Sequence, residues 1–406
     1  VTHLDDRLRA LRGQVREWGA DLRPLALEID RDPEAVRGHF AHPAVRHLAT
    51  MGIPEEYGHE PEKIDGHRFY GVSALERAVV MEELACADVG TLVASPGPLL
   101  AGVAVGLCAD EAQKRWFYGR MLEQPLWTCF ALTEPEGGSD AAALRTALTA
   151  TPDGDALLSG EKRYVGNACR AQLGVVFARA RPGPLGVQAV LVDTADPGFV
   201  AEPLDMIGLR GAMISSIVMD RVPVPADRFL GRHLTATRRG VWAFVQTFNV
   251  LRPGVAAIAV GIARAALEYV AEHRGALRGA GRERFDELTR RVDATRHLVH
   301  HAAAAVDARG TDGHLASAAK LRAARLAEDV TLGAAGLLGP GARLAHPFLD
   351  KLARDARAME FLEGTGNMQR LNLFQGLLGG KVDRDPGPTA SRATAGRPAA
   401  PRASAP

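Results

Sequence analysis

The sequence predicts an α+β protein with an N-terminal helical domain, a middle antiparallel β-domain and a C-terminal helical bundle. Three observations carry that prediction. Apolar residues recur at helical spacing up to about Gln124, gather from Trp127 into short β-rich runs divided by turn dipeptides, and return to helical spacing after Gly240. The transitions place the domains at 1–126, 127–236 and 237–380, with a tail at 381–406.

The first helix is read from Leu4, Leu8, Leu11, Val15, Trp18 and Leu22, spaced four and three apart with charges between them. Charges within the segment exclude the continuous apolar core of a signal peptide. Apolar residues on one face mark Ala74 to Cys86, and a second apolar segment runs from Leu99 to Cys108. Pro96-Gly97-Pro98 separates them, since proline cannot donate to the helical ladder. In the middle domain, Val175-Val176-Phe177-Ala178 and Ala189-Val190-Leu191-Val192 read as strands, punctuated by Asp153-Gly154, Pro182-Gly183 and Pro197-Gly198. No G-x-G-x-x-G follows a strand, so a Rossmann site is not supported. Val255, Ile258, Ile262, Ala265 and Tyr269 open the C-terminal helices, with Pro253 in the first turn. From Lys381 the chain is mostly Pro, Ala, Arg, Ser and Thr, and a disordered tail is expected.

With 49 Lys and Arg against 48 Asp and Glu, no net field points to nucleic acid or an acidic membrane surface. No stretch reads as apolar for long enough to span a bilayer. Cys86, Cys108, Cys129 and Cys169 lack C-x-x-C spacing and read as buried free thiols of a cytoplasmic protein. His297 and His301 stand four apart on an expected helix, but no carboxylate or cysteine set accompanies them, and no metal site is expected.

Two runs concentrate the chemistry. Phe361-Leu362-Glu363-Gly364-Thr365-Gly366-Asn367 sets one carboxylate between apolar residues and a glycine, where burial would raise its pKa and make it a usable base. Far upstream, Leu132-Thr133-Glu134-Pro135-Glu136-Gly137-Gly138-Ser139-Asp140 is a polar loop whose glycines permit close backbone approach to a ligand.

In this order and separation the two runs resemble the acyl-CoA dehydrogenase family of flavoproteins, from roughly Leu4 to about Leu378. The resemblance implies FAD as cofactor and an acyl thioester, on CoA or an acyl carrier protein, as substrate. Glu363 would then remove the α-proton while the β-hydrogen leaves as hydride to the flavin. The enolate-like charge would be met by the Glu363 backbone N–H and a flavin ribityl hydroxyl. The resemblance further places Phe130, Leu132, Thr133, Gly138, Ser139, Tyr164, Gly166, Arg274, Thr365 and Asn367 against the cofactor, and Ser139, Asn249, Arg252 and Gly364 near the substrate. It also implies a homodimer or homotetramer and an external electron acceptor.

The chain departs from the family pattern at several places. Gly336-Leu337-Leu338-Gly339-Pro340 stands where a Gln-x-x-Gly-Gly segment is usual, and the neighbouring subunit's Arg-x-x-Phe-Gly is reduced to Arg274 or Arg278. Tyr164 and Gly166 replace the usual Trp and Thr, and Asn249 replaces an aspartate. Four readings follow: acyl-thioester dehydrogenation, carrier-linked oxidation in a methoxymalonyl-type pathway, a flavin monooxygenase on the same fold, or a degenerate binding subunit. The base at Glu363 argues against the monooxygenase.

Overall fold

The computed structural model describes residues 4–138, 143–309 and 313–381. It opens with α1 (Asp6–Leu22), capped where Asp5 accepts from the Leu8 amide at 2.8 Å. The α1 positions Leu8, Leu11, Val15, Trp18 and Leu22 form its buried face, as their spacing requires. Helices α2 (Ala26–Arg31) and α3 (Pro43–Thr50) and the hairpin β1 (Glu62–Ile64) and β2 (His67–Phe69) lead into α4 (Ala74–Ala94). Almost every side chain of α4 is buried, and Asp88 interrupts it with extended φ and ψ of −160° and 115°. The Pro96-Gly97-Pro98 break precedes α5 (Leu99–Cys108), and α6 (Glu111–Glu123) follows with an Asp110–Gln113 capping box.

A seven-stranded sheet comes next: β3 (Thr128–Ala131), β4 (Ala147–Ala150), β5 (Ala156–Val165), β6 (Leu173–Arg179), β7 (Val187–Asp193), β8 (Phe199–Pro203) and β9 (Ser215–Val224). The strand order is β3-β6-β4-β5-β9-β8, with β7 on the other edge of β6. Asp153-Gly154 and Pro182-Gly183 lie in the connections that turn β4 into β5 and β6 into β7, as expected. The sheet is mainly antiparallel but not wholly so, because β6 runs parallel to both β3 and β4. Such pairings join strands distant in sequence, and no local turn signal announces them.

The last layer is helical: α7 (Val241–His273), α8 (Gly279–Arg309), α9 (Gly313–Leu338), α10 (Ala342–Ala345), α11 (Pro347–Ala358) and α12 (Gly366–Leu378). One core unites α1, α4, α7, α8, α9 and α11, through residues such as Leu11, Val80, Ile262, Val299, Ala323 and Leu352.

Three expectations need correction. Pro253 is not at a helix start, because α7 begins twelve residues earlier at Val241. The missing N–H sits inside the helix, and close packing surrounds it; a Cβ on Gly254 would lie 2.6 Å from Met81 Sδ. The same helix is long and apolar enough to cross a membrane, with mean hydropathy 1.6, but 94% of that window is buried inside the protein. Its apolar surface serves the core of this chain. Finally, Cys86, Cys108 and Cys129 are buried thiols, whereas Cys169 is half-buried. The segment beyond Lys381 lies outside the described residues.

Candidate active site

Glu363 lies in the connector between α11 and α12, with φ of +51°, and Gly364 follows at +99°. A glutamate in the left-handed region costs about 1–3 kcal/mol and persists only where its surroundings over-determine it. Three helices do so here. From α9, Lys320 Nζ donates to the carbonyls of Glu360 and Gly364, both at 2.7 Å. From α12, Gln369 Nε2 donates to the carbonyls of Glu363 and Gly364 at 3.1 and 2.9 Å. From α7, Arg252 Nε donates to the Glu363 carbonyl at 3.3 Å. Glu360 then closes the turn by accepting from the Gly366 amide at 2.6 Å, at the N-terminus of α12.

The backbone is thus fixed while the carboxylate is left without a hydrogen bond. Glu363 Oε2 is buried and has no partner. Burial pushes the carboxyl up to about 8, against the pull of Arg252, Lys320 and Arg77 toward the charged form. Lys320 responds in the opposite sense: burial lowers its ammonium to about 8, although Glu360 and Glu363 oppose that shift. A carboxyl tuned toward neutrality in a half-buried, cation-lined position, with one oxygen enclosed, can accept a proton from a weak carbon acid.

Asn249 and Arg252 sit one turn apart on α7 and are joined by Nη1 to Oδ1 at 2.8 Å. Both are buried, so Arg252 is not a surface arginine. Thr365 is the N-cap residue of α12 without a side-chain cap bond, and Asn367 is exposed, accepting from Arg370 at 2.7 Å.

The sheet presents the second set. Phe130 on β3 packs against Phe177 and Phe248, with ring centroids 5.0 and 5.6 Å apart. Leu132 and Thr133 follow it, and the Thr133 carbonyl accepts from the Arg163 amide at 2.9 Å, which brings the loop beside Tyr164 and Gly166 at the end of β5. Glu134 anchors the loop. It accepts from the Thr146 hydroxyl and amide, the Arg145 amide and Lys162 Nζ at 2.6 to 2.9 Å. Burial raises this carboxyl, but those donors outweigh it and hold it at about 2. Tyr164 is 57% exposed, with φ of +61°, and a Cβ on Gly138 would meet only Thr133, at an ordinary contact distance. The arrangement is an open, aromatic-edged shelf with a rigid base, which suits a flat ring.

The structure therefore gathers Glu363, Gly364, Asn249 and Arg252 in one place, and Phe130, Leu132, Thr133 and Tyr164 in another. Arg274 lies apart, exposed at the end of α7. Ser139 lies outside the described residues. Lys320, Arg77 and Gln369 were missed by the sequence reading, as was Glu134's anchoring role. Lys320 alone left a usable signal, a lysine on the helical face of Ala316, Ala319 and Ala323, all buried. His297 and His301 are exposed, while His300 is buried 3.6 Å from Glu82. No cluster of three or more potential metal ligands occurs among the described residues.

This fold and site define a flavoprotein oxidoreductase class, and comparison with known proteins agrees. Family models described as the N-terminal, middle and C-terminal domains of acyl-CoA dehydrogenase match residues 5–124, 129–222 and 238–378. The acyl-CoA dehydrogenase of Bacillus subtilis is 28% identical over 393 residues, covering 93% of this chain and 100% of its own. The mitochondrial short-chain specific acyl-CoA dehydrogenase of Bos taurus is 29% identical, covering 92% and 91%. Among solved structures, butyryl-CoA dehydrogenase from Megasphaera elsdenii superposes with a TM-score of 0.81 at 26% identity, covering 93% and 100%. The chain belongs to the acyl-CoA dehydrogenase family of flavin oxidoreductases, and its family and fold support dehydrogenation of an acyl thioester.

Proposed function

We propose that this enzyme oxidises an acyl thioester between its α and β carbons, with Glu363 as the base. The observation that carries the reading is the sealed, unpartnered Glu363 carboxylate oxygen, faced by Arg252, Lys320 and Arg77. Glu363 takes the α-proton. Its own backbone N–H makes no hydrogen bond among the described residues and is available to the thioester carbonyl, where negative charge grows. Arg252 acts through the Glu363 carbonyl and holds the connector in its left-handed turn. Gly364, with φ of +99°, completes that turn, and Asn249 orients Arg252.

The shelf at Phe130, Leu132, Thr133, Gly138, Tyr164 and Gly166 fits FAD. Tyr164 offers an exposed ring beside polar loop backbone, and the loop is held rigid from beneath by Glu134 and Lys162. Bound FAD supplies the two-electron acceptor for the oxidation. Thr365 and Asn367 lie at the start of α12, where amides favour an anionic part of the cofactor, and Arg274 offers a charge at the exposed end of α7.

The enzyme works as a homo-oligomer, a reading supported by an exposed α12 stripe of Leu371, Phe374 and Leu378, with Phe361 64% exposed nearby. Its four free thiols suit the reducing cytoplasm. The test is anaerobic addition of acyl-CoA and acyl-carrier-protein thioesters to the purified holoprotein while the visible flavin band is followed. Wild type loses the band and Glu363→Gln keeps it; the thioester that works identifies the carrier. Equal bleaching by both proteins contradicts Glu363 as the base. Absence of any flavin band after adding FAD contradicts the enzyme reading.

A further inference from the structure

Two segments that meet at the N-terminal end of α7 hold arginines and no acid. The chain has no Asp or Glu between Glu161 and Asp193, nor between Asp227 and Glu268. The first stretch includes the β6–β7 connection with Arg181; the second includes Arg232, Arg238 and Arg239, just ahead of Val241 where α7 begins. The fold packs them together. A Cβ on Gly240 would strike the Val187 carbonyl, one on Gly186 would strike the Arg181 carbonyl, and one on Gly231 would lie 3.0 Å from Arg239 Cβ. The Leu230 amide donates to the Ala189 carbonyl at 2.9 Å, which lays the second segment beside β7.

These arginines are not used by the fold. Arg181 and Arg238 are exposed and Arg239 is half-buried, and among the described residues none of the three side chains makes a hydrogen bond or ion pair. Exposed arginines elsewhere, such as Arg68 and Arg282, face Glu55 and Asp286. Like charges gathered without counter-charge repel one another and raise the local potential, so the surface is built for an incoming anion. Its distance from Glu363 is set by α7. The helix is continuous from Val241 to Arg252, whose Nε holds the Glu363 carbonyl, and those eleven steps rise about 16 Å. A phosphopantetheine arm, with about thirteen bonds from thioester sulfur to phosphorus, also extends about 16 Å at the ~1.2 Å per bond of an extended chain. The side of α7 between the two ends is open to it: Val245, one turn before Asn249, is 39% exposed, and Gln246 keeps a buried amide oxygen without a partner, an acceptor for an amide of the arm.

We propose that this arginine surface docks the acidic face of a carrier protein, which delivers its acyl thioester to Glu363 on a phosphopantetheine arm laid along α7. The inference rests on the acyl-thioester reading above and adds the carrier. The charges are spread over two segments, with Leu185 53% exposed among them. That arrangement suits a broad acidic protein face, whereas the compact nucleotide end of CoA would leave most of the charges unmet.

The test presents one acyl group, butyryl, on three supports: the holo acyl carrier protein of a type II fatty-acid synthase, free phosphopantetheine and CoA. Each thioester is titrated calorimetrically into FAD-loaded Glu363→Gln protein, which binds without turnover. The carrier thioester should bind at least about tenfold tighter than the phosphopantetheine thioester, since the two share the arm and differ only in the protein face. Arg181→Glu with Arg238→Glu in the same background should remove that advantage while the phosphopantetheine thioester shifts by less than about threefold. Both arginines are exposed, and flavin content with thermal melting confirms that the variant is folded. A carrier thioester that binds no tighter than the phosphopantetheine one, an advantage that survives the charge reversal, or a CoA thioester that binds tighter than the carrier's overturns the inference and leaves the dehydrogenase reading standing. Binding of none of the three overturns both.

Discussion

Glu363 combines two opposed demands. Its backbone is tied by Lys320, Gln369 and Arg252, while its carboxylate keeps a buried oxygen without a partner. Satisfying that oxygen would stabilise the protein and weaken the base, since a hydrogen bond to the charged form lowers a carboxyl's pKa. With the carboxyl raised to about 8, the rate constant for flavin reduction should rise with pH through about 8 and then level off. Stopped-flow reduction across pH 6–10 checks this, and a flat profile contradicts it. The stability sign follows from the same shift. Folded Glu363 holds its proton well above the ordinary value of 4.5, so its contribution is fully present below 4.5 and is lost as pH rises through about 8. Glu363→Gln has no such loss, so its melting temperature should gain on wild type from pH 5 to pH 8. A pH-independent difference would mean that the carboxylate is solvated.

Between elements, buried cations tie helices to loops. Lys320 on α9 donates to two carbonyls of the connector; Gln369 also serves Gly364, so losing Lys320 leaves the Glu360 carbonyl unpaired, at about 1–3 kcal/mol. Lys320→Met should therefore slow flavin reduction by tenfold or more while thioester binding to the same variant changes little. A loss of binding equal to the loss of rate would make Lys320 a general support of the fold. A second buried lysine, Lys351 on α11, bridges Asp88 of α4 and Asp355, at 2.6 and 2.7 Å. Asp355 in turn accepts from the Leu209 amide at 2.6 Å, which fastens the segment between β8 and β9 to the bundle. Lys351→Met leaves two buried carboxylates unpaired and should destabilise by about 3–5 kcal/mol. Chemical denaturation measures it, and a variant within 1 kcal/mol of wild type, a marginal effect on the scale of about 0.5 to 3 kcal/mol for most substitutions, would contradict the pairing.

The course of the chain from helices to sheet to helices was legible because hydrophobic period is local: α1, α5 and the two β-hairpins stand where spacing and turn dipeptides put them. Glu363 stood out because its run, taken with the distant run at 132–140, resembles a known family; a carboxylate beside a glycine alone would have read as a solvated helix end. Of the cations around it, Arg252 was placed only by the family resemblance, and Arg77 and Lys320 were not found, since the three come from different helices and meet only after packing. The parallel pairing of β6 with β3, and the start of α7 twelve residues before Pro253, escaped for a related reason: sheet order and helix ends depend on partners far along the chain. The exposed stripe at Leu371, Phe374 and Leu378 bears on assembly. If the proposed homo-oligomer assembles through this stripe, Leu371→Glu with Phe374→Glu should lower the mass seen by light scattering, and an unchanged mass would contradict that role for the stripe.

The most direct test of Glu363 as the base is deuterium exchange at the α-carbon of a bound thioester in D2O, followed by mass spectrometry. A 3-thia-acyl thioester, whose sulfur occupies the β position, acidifies the α-carbon without completing the oxidation and isolates proton removal. Wild-type holoenzyme should exchange the α-proton at a rate that rises with pH through about 8, and Glu363→Gln should be slower by about a hundredfold or more. Equal exchange by the two proteins would assign the proton to another group and contradict the account.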